Sequence, residues 1–117
     1  MELQIKVREL EESAAVVEVA GEADLYTTPK LKDAVVDLIA QGRTRLAVNL
    51  AGLDYLDSTG LGVLVGSFKR VREKGGTLVL VAPQPRIRKV FEITRLVNVF
   101  DIFDSEEQAL KSLGAGG

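Results

Sequence analysis

The polar and apolar positions of this chain change period several times, and each change marks an element. Residues 2–8 alternate strictly, with Leu3, Ile5 and Val7 on one side and charged or amide side chains on the other, which predicts a half-exposed strand. Glu9 to Ser13 reads as an acidic turn into Ala14–Ala20, whose Val16, Val17 and Val19 predict a hairpin partner ending at Gly21. From Thr28 the period becomes helical: Thr28 as cap, Pro29 at the first helical position, then Leu31, Ala34, Val35, Leu38 and Ile39 on one face, closed by Gly42. Arg45–Leu50 alternates as a third strand, and Ala51–Asp57 leads out of it.

A second helix starts near Ser58, carries the stripe Leu61, Leu64, Val65, Phe68 and Val71, and stops at Gly75 and Gly76. Thr77–Ala82 is almost wholly β-branched or Leu, the mark of a strand covered on both faces. Arg86–Thr94 predicts a short helix with Ile87, Val90 and Phe91 inward, and Val99–Phe103 a last short strand. Ser105 and Gln108 then form a capping box opening a helix through Ala109, Leu110 and Leu113. Strands alternating with helices after an initial hairpin predict an α/β fold: a mixed, mostly parallel sheet with one N-terminal antiparallel hairpin and about four helices. Residues 1–113 are expected to form one domain, with 114–117 a flexible tail.

Composition narrows the chemistry. The chain has 117 residues, no Cys and no His, which removes Ser-His-Asp and Cys-His catalysis, His-ligated zinc and the ordinary neutral-pH proton shuttle. A net charge of −2 gives no electrostatic case for nucleic acid or an anionic membrane surface. The basic groups Lys69, Arg70, Arg72, Lys74 and Arg86, Arg88, Lys89 read as solvated helix faces. No apolar run approaches the ~20 residues that span a bilayer, and no signal segment follows Met1, so a cytoplasmic location is expected.

The most informative stretch runs from Asn49 to Gly62. Asp57, Ser58 and Thr59 are all competent caps, and whichever caps, the helix start exposes backbone N–H groups and the positive end of its dipole. A phosphoryl ester on Ser58 would bring about −1.5 to −2 charges to a place that favours them. Gly60, Gly62 and Gly66 lie inside the helical pattern, each at a cost of about 1 kcal/mol relative to Ala. Two causes stand open. Gly62 and Gly66 would let the helix approach the sheet or a neighbouring helix closely, while Gly60 would leave the helix start uncovered for a partner. Ser58 itself reads either as a plain cap or as a modified residue, with Tyr55 nearby as a surface aromatic. Asp24, in the acidic segment Gly21–Leu25, reads as a turn residue or as a neighbour of Ser58 at the carboxyl rim of the sheet.

Gly-Glu-Ala-Asp-Leu at 21–25, Thr-Thr-Pro at 27–29, Val-Asn-Leu at 48–50 and Asp-Ser-Thr-Gly-Leu-Gly at 57–62 together resemble the anti-sigma factor antagonists, the SpoIIAA-like single-domain proteins of the STAS family. The resemblance runs on through Gly75-Gly76, Val90–Thr94 and Asp104–Leu110. It implies a non-enzymatic switch with no cofactor, metal or catalytic residue. Ser58 would be phosphorylated by a serine kinase that is also an anti-sigma factor, and restored by a serine phosphatase. The unphosphorylated form would bind that kinase and release the sigma factor. Asp24, Asp57, Ser58, Thr59, Gly60, Leu61 and Gly62 would contact or position the partner, with no direct role for nucleic acid or membrane. One departure stands out: Thr94-Arg95-Leu96 replaces the Ser/Thr-Gly-Leu of many relatives, removing an easy left-handed helix end.

Other readings fit less well. A phosphoaccepting receiver domain would need an acidic pair for magnesium after the first strand and a Lys after the fourth. Gly60, Gly62 and Gly66 have the wrong last spacing for a dinucleotide loop, and a Ser hydrolase lacks both its Gly-x-Ser-x-Gly turn and a His. A STAS module of another type, such as a stressosome subunit or a transporter accessory protein, remains the alternative.

Overall fold

A computed structural model describes residues 2–114. Five strands form one sheet in sequence order: β1 (Leu3–Glu9), β2 (Ala14–Ala23), β3 (Arg45–Leu56), β4 (Thr77–Val81) and β5 (Ile102–Phe103). The β1–β2 pair is antiparallel and the other three pairings are parallel, as the hairpin and the βα alternation predict. Four helices, α1 (Thr28–Ala40), α2 (Ser58–Glu73), α3 (Pro85–Ile93) and α4 (Glu106–Ser112), complete the fold, with a 3₁₀ turn at Leu96–Asn98.

The strand period distributes the core. Ala15, Val17, Val19, Leu46, Val48, Leu50, Leu78 and Leu80 face α1, α2 and α3, where they meet Leu31, Val35, Leu64, Val71, Ile87 and Phe91. Phe100 packs edge-on against both Phe68 and Phe91, with ring centroids 5.2 and 5.6 Å away. The alternate residues Val16, Ala47, Val79 and Val81 form a smaller cluster under Ala109 of α4 and Leu113, the residue that caps its end. The start of α4 is tied to the sheet by Glu106, which accepts from Asn49 Nδ2 at 2.7 Å and pairs with Arg8.

Several boundaries differ from the sequence expectation, each for a local reason. β2 does not end at Gly21: it runs to Ala23, with Gly21 at φ +101° where a side chain would strike the Glu2 carbonyl. β3 does not end at Leu50 but runs to Leu56, its pairing with β2 shifted between Glu18 and Ala20 and between Gly21 and Glu22, which conceals the strand period. The cap of α1 is Thr27, not Thr28, and its hydroxyl serves the preceding loop. β5 is limited to Ile102–Phe103 because the amides of Val99 and Phe100 close the 3₁₀ turn on the Leu96 carbonyl. The basic helix faces are solvated as expected, with Arg72 lying 5.9 Å from the Phe68 ring centroid and Arg88 reaching Asp104 at 3.8 Å. Of the expected tail, Gly114 closes α4 at φ +72° with its amide on the Lys111 carbonyl; residues 115–117 lie outside the described residues. Among the described residues, no helix is long and apolar enough to cross a membrane.

Candidate functional site

Parallel pairing carries β2 and β3 side by side to Ala23 and Leu56, so the next residues of both strands, Asp24 and Asp57, emerge together at the carboxyl rim of the sheet. The Asp57 amide donates to the Ala23 carbonyl at 3.1 Å. Its side chain resolves the choice among three candidate caps: Asp57 is extended at φ −94°, ψ −177°, and accepts the Gly60 amide at 2.9 Å. Ser58 is therefore the first helical residue rather than the cap, and it is exposed. Its hydroxyl is free of any capping task. Among the described residues the amides of Ser58 and Thr59 have no hydrogen-bond acceptor, so the donors of the first turn point outward beside that hydroxyl.

The three glycines divide in the reverse of the roles expected for them. Gly60 is the close-packing glycine: a Cβ there would lie 2.7 Å from Leu56 Cδ1 and 2.9 Å from the Ala23 carbonyl oxygen. It seats the helix start on the ends of β2 and β3, and is buried rather than uncovered. Gly62 and Gly66, expected to permit close packing, have room for a methyl group, with nothing within 4 Å of where a Cβ would lie. They line an open groove between α1 and α2 together with Thr59, Val63, Ser67, Lys32 and Arg70. Leu61 is half-buried and packs on the main core, so of the first turn only Ser58 and Gly62 are fully open, with Thr59 partly so.

Asp24 is committed to its own loop. Only 7% of it is exposed, and its Oδ1 accepts the amides of Tyr26 and Thr27, both at 2.9 Å. Thr27 Oγ1 in turn accepts from the Asp24 amide at 2.9 Å and donates to the Glu22 carbonyl at 2.7 Å. Burial pushes the Asp24 carboxyl up, but the amides of Thr27 and Tyr26 and the Thr27 hydroxyl outweigh it and hold the group below its ordinary value. Asp24 thus acts on the rim by fixing the loop that carries its neighbours.

Those neighbours are what the sequence pattern does not reveal. Leu25 and Tyr26 are 60% and 86% exposed, and Tyr55, expected as a surface aromatic, is 44% exposed. The available signal was an apolar pair directly after a turn aspartate, outside any strand or helix period. Together with Ser58 these side chains give the rim an exposed hydroxyl at a helix start, bordered by exposed aromatic and aliphatic groups, the composition of an interaction surface.

Nearly the whole of this fold matches a known family. The model of the STAS domain matches residues 4–109. The chain belongs to the STAS family. This STAS domain is 39% identical to the anti-sigma-B factor antagonist of Bacillus subtilis (strain 168) over 92% of this chain and 96% of that protein. Among solved structures, an anti-sigma factor antagonist from Mycobacterium paratuberculosis superposes with a TM-score of 0.86 at 26% identity, covering 96% of this chain and 94% of that one. The Bacillus cell fate determinant SpoIIAA in its phosphorylated form shares the fold with a TM-score of 0.75 at 24% identity, covering 93% of this chain and 98% of that one.

The left-handed helix end after α3, expected to be lost with Arg95 at that position, is present. Arg95 sits at φ +63°, ψ +16°, its amide bonded to the Glu92 carbonyl at 3.1 Å. A residue with a side chain thus makes the left-handed helix end, at the strain that brings.

Proposed function

We propose that this STAS domain is an anti-sigma factor antagonist, that its unphosphorylated form binds an anti-sigma factor with serine-kinase activity and frees the sigma factor, and that phosphorylation of Ser58 ends this binding. The observation that carries the reading is the exposed Ser58 at the first position of α2, relieved of capping by Asp57. The similar protein named anti-sigma-B factor antagonist matches over nearly its whole length, which favours the antagonist over a module of another type.

In the forward step Ser58 Oγ takes the γ-phosphoryl group of ATP on the partner, its proton passes to the kinase, and ADP leaves; a serine phosphatase returns the hydroxyl by hydrolysis. In this reading the catalytic groups belong to the partners and this domain is their substrate. Ser58, Thr59 and Gly62 form the accessible edge of the contact, Asp57, Gly60 and Leu61 set the helix start, and Asp24 holds Leu25 and Tyr26 in place beside it. The phosphate joins the outward amides and positive end of α2, so the fold tolerates it. A docked partner instead meets about two added negative charges beside Asp57. A like-charge and desolvation penalty of ~3 kcal/mol weakens such a complex by about two orders of magnitude. The exchange takes place in the cytoplasm, where sigma factors and ATP meet, without nucleic acid or membrane in the contact.

The test is incubation with the source organism's anti-sigma factor kinases and ATP, followed by mapping of the phosphopeptide. One phosphate at Ser58, absent in Ser58→Ala, is expected. A phosphate placed elsewhere with Ser58→Ala still a full substrate overturns the site, and Ser58→Asp binding the kinase as tightly as wild type overturns the switch.

A further inference from the structure

β1 is an edge strand, and the phase of its ladder can be read from two hydrogen bonds. The Glu22 amide donates to the Glu2 carbonyl at 2.9 Å, and the Leu10 amide to the Ala14 carbonyl at 3.1 Å. Both bonds join residues in the register Leu3↔Gly21 to Glu9↔Ala15, so even-numbered residues of β1 turn their N–H and C=O groups to β2. The groups of Leu3, Ile5 and Val7 therefore face outward. Lys30 Nζ reaches the Leu3 carbonyl at 3.3 Å, as that phase requires. The side chains of the same residues line an open groove of about 690 Å³ against α1, bordered by Lys30, Asp33 and Asp37, with Val7 exposed.

We infer that this edge pairs with a second copy of itself, β1 antiparallel to β1 about a two-fold axis at Ile5, joining the two sheets into one. The charges and the paired length together select the occupant and the register. An axis at Ile5 sets Leu3 opposite Val7 of the second copy, Gln4 opposite its Lys6 and Glu2 opposite its Arg8, so the outward backbone groups of Leu3, Ile5 and Val7 all have partners and no like charges face each other on the strands. An axis at Lys6 opposes that lysine to itself, and one at Val7 opposes Lys6 to Arg8. An axis at Gln4 leaves Val7 beyond the paired length. Lys6 and Arg8 thus exclude the slips toward the end of the strand, as edge charges do elsewhere, and the paired length excludes the slip toward its start.

The helices extend the match. α1 runs in the direction of β1, with Lys30 at the level of Leu3. At about 1.5 Å per helical and 3.3 Å per strand residue, Asp33 lies near the level of Ile5 and Asp37 near that of Val7. The axis brings Lys30 toward Asp37 of the second copy, twice over, and Asp33 toward its own counterpart. That last contact is repulsive and makes the dimer a weak one.

The chain has no Cys, so single cysteines report the register cleanly. Facing residues of a hydrogen-bonded pair lie about 5.5 Å apart at Cα, within disulfide reach. Ile5→Cys is expected to form a disulfide dimer under mild oxidation, whereas Val7→Cys, about four strand residues from its counterpart, is not. A mixture of Gln4→Cys and Lys6→Cys, both at exposed positions, is expected to cross-link as a heterodimer and covers the case in which Ile5→Cys misfolds. In sedimentation equilibrium Asp33→Asn should strengthen association roughly two- to fivefold. Lys30→Glu should weaken it, and Lys30→Glu with Asp37→Lys should restore it. A wild-type protein that stays monomeric to near-millimolar concentration overturns the inference, as does preferential cross-linking through Val7→Cys or association indifferent to the charge exchange.

Discussion

The Asp57 amide is bonded to the Ala23 carbonyl at 3.1 Å, and that one contact joins the last residue of β2 to the cap of α2. It explains why two segments more than thirty residues apart in sequence make one rim. The bond continues the parallel ladder by one step beyond Leu56, so the chain leaves β3 in register and turns into the helix with Ser58 outward. A cap supplied by Asp57, a close approach supplied by Gly60 and a loop fixed by Asp24 then leave the serine with no structural duty.

Asp57→Ala removes the acceptor of the Gly60 amide and is expected to cost about 1 kcal/mol, lowering the melting temperature by several degrees. Asp57→Asn keeps a capping oxygen and should melt close to wild type. If Asp57→Asn is phosphorylated normally while Asp57→Ala is slow, the carboxylate acts by positioning the helix start; thermal melts and initial phosphorylation rates together decide this.

The glycines of α2 should separate sharply under alanine substitution. Gly60→Ala places a methyl 2.9 Å from the Ala23 carbonyl oxygen, a backbone atom that cannot swing away, and is expected to destabilise by about 1–3 kcal/mol. Gly62→Ala and Gly66→Ala enter open space inside a helix and should each stabilise by about 0.5–1 kcal/mol. Urea denaturation of the three variants checks the order. A Gly62→Ala protein that folds better yet binds the kinase less tightly would identify that glycine as kept for the partner's approach.

Arg95→Gly should stabilise the protein. The left-handed conformation at φ +63° costs a side-chain-bearing residue about 1–2 kcal/mol, of which glycine's greater unfolded-state freedom returns part, leaving a gain of about 0.5–1 kcal/mol. The expected result is a higher urea midpoint with an unchanged slope.

Acid should unfold the protein partly through Asp24 and Glu106. Burial raises the Glu106 carboxyl, but its hydrogen bonds with Arg8 and Asn49 and the charge of Arg8 outweigh burial, so both folded-state values lie below their ordinary ones. A carboxylate depressed in the folded state contributes stability that is present above its unfolded-state pKa and is lost as pH falls through the folded one. Stability should therefore be flat near neutrality and fall below the ordinary carboxylate range. Asp24→Asn, which retains an acceptor for Tyr26 and Thr27, should make that acid limb shallower in melts run from pH 7 downward.

The alternation of Leu3, Ile5 and Val7 and the helical spacing from Leu31 to Ile39 are solved by burial of one face, so they could be read directly. The end of β3 could not: Ala51 to Leu56 mixes exposed and buried residues because the pairing with β2 slips twice, and a period cannot be recognised across a slip. Ser58 was legible as a helix start, but which of three adjacent side chains caps depends on the direction in which the strand delivers the chain, a tertiary quantity. Gly60 and Gly62 look alike in sequence and differ only in what lies across from them, Ala23 in one case and solvent in the other. Leu25 and Tyr26 followed no period, and their exposure reflects the turn that Asp24 makes beneath them.

Modification of Ser58 should spare the fold while acting on the interface, and charge substitutions can separate the two. Ser58 occupies the first helical position, where a negative group interacts favourably with the outward amides and a positive one unfavourably, each by about 0.3–1 kcal/mol at low ionic strength. Ser58→Asp is therefore expected to melt at or slightly above the wild-type temperature and Ser58→Lys below it. The gap should shrink as salt rises, because the site is exposed and screened within about 10 Å at 0.1 M. Kinase binding should follow a different order: both charged variants place bulk at the contact, and Ser58→Asp adds like charge beside Asp57. A Ser58→Asp protein with a lowered melting temperature would mean that phosphate acts by loosening α2 instead, and its loss of kinase affinity would then track stability rather than charge.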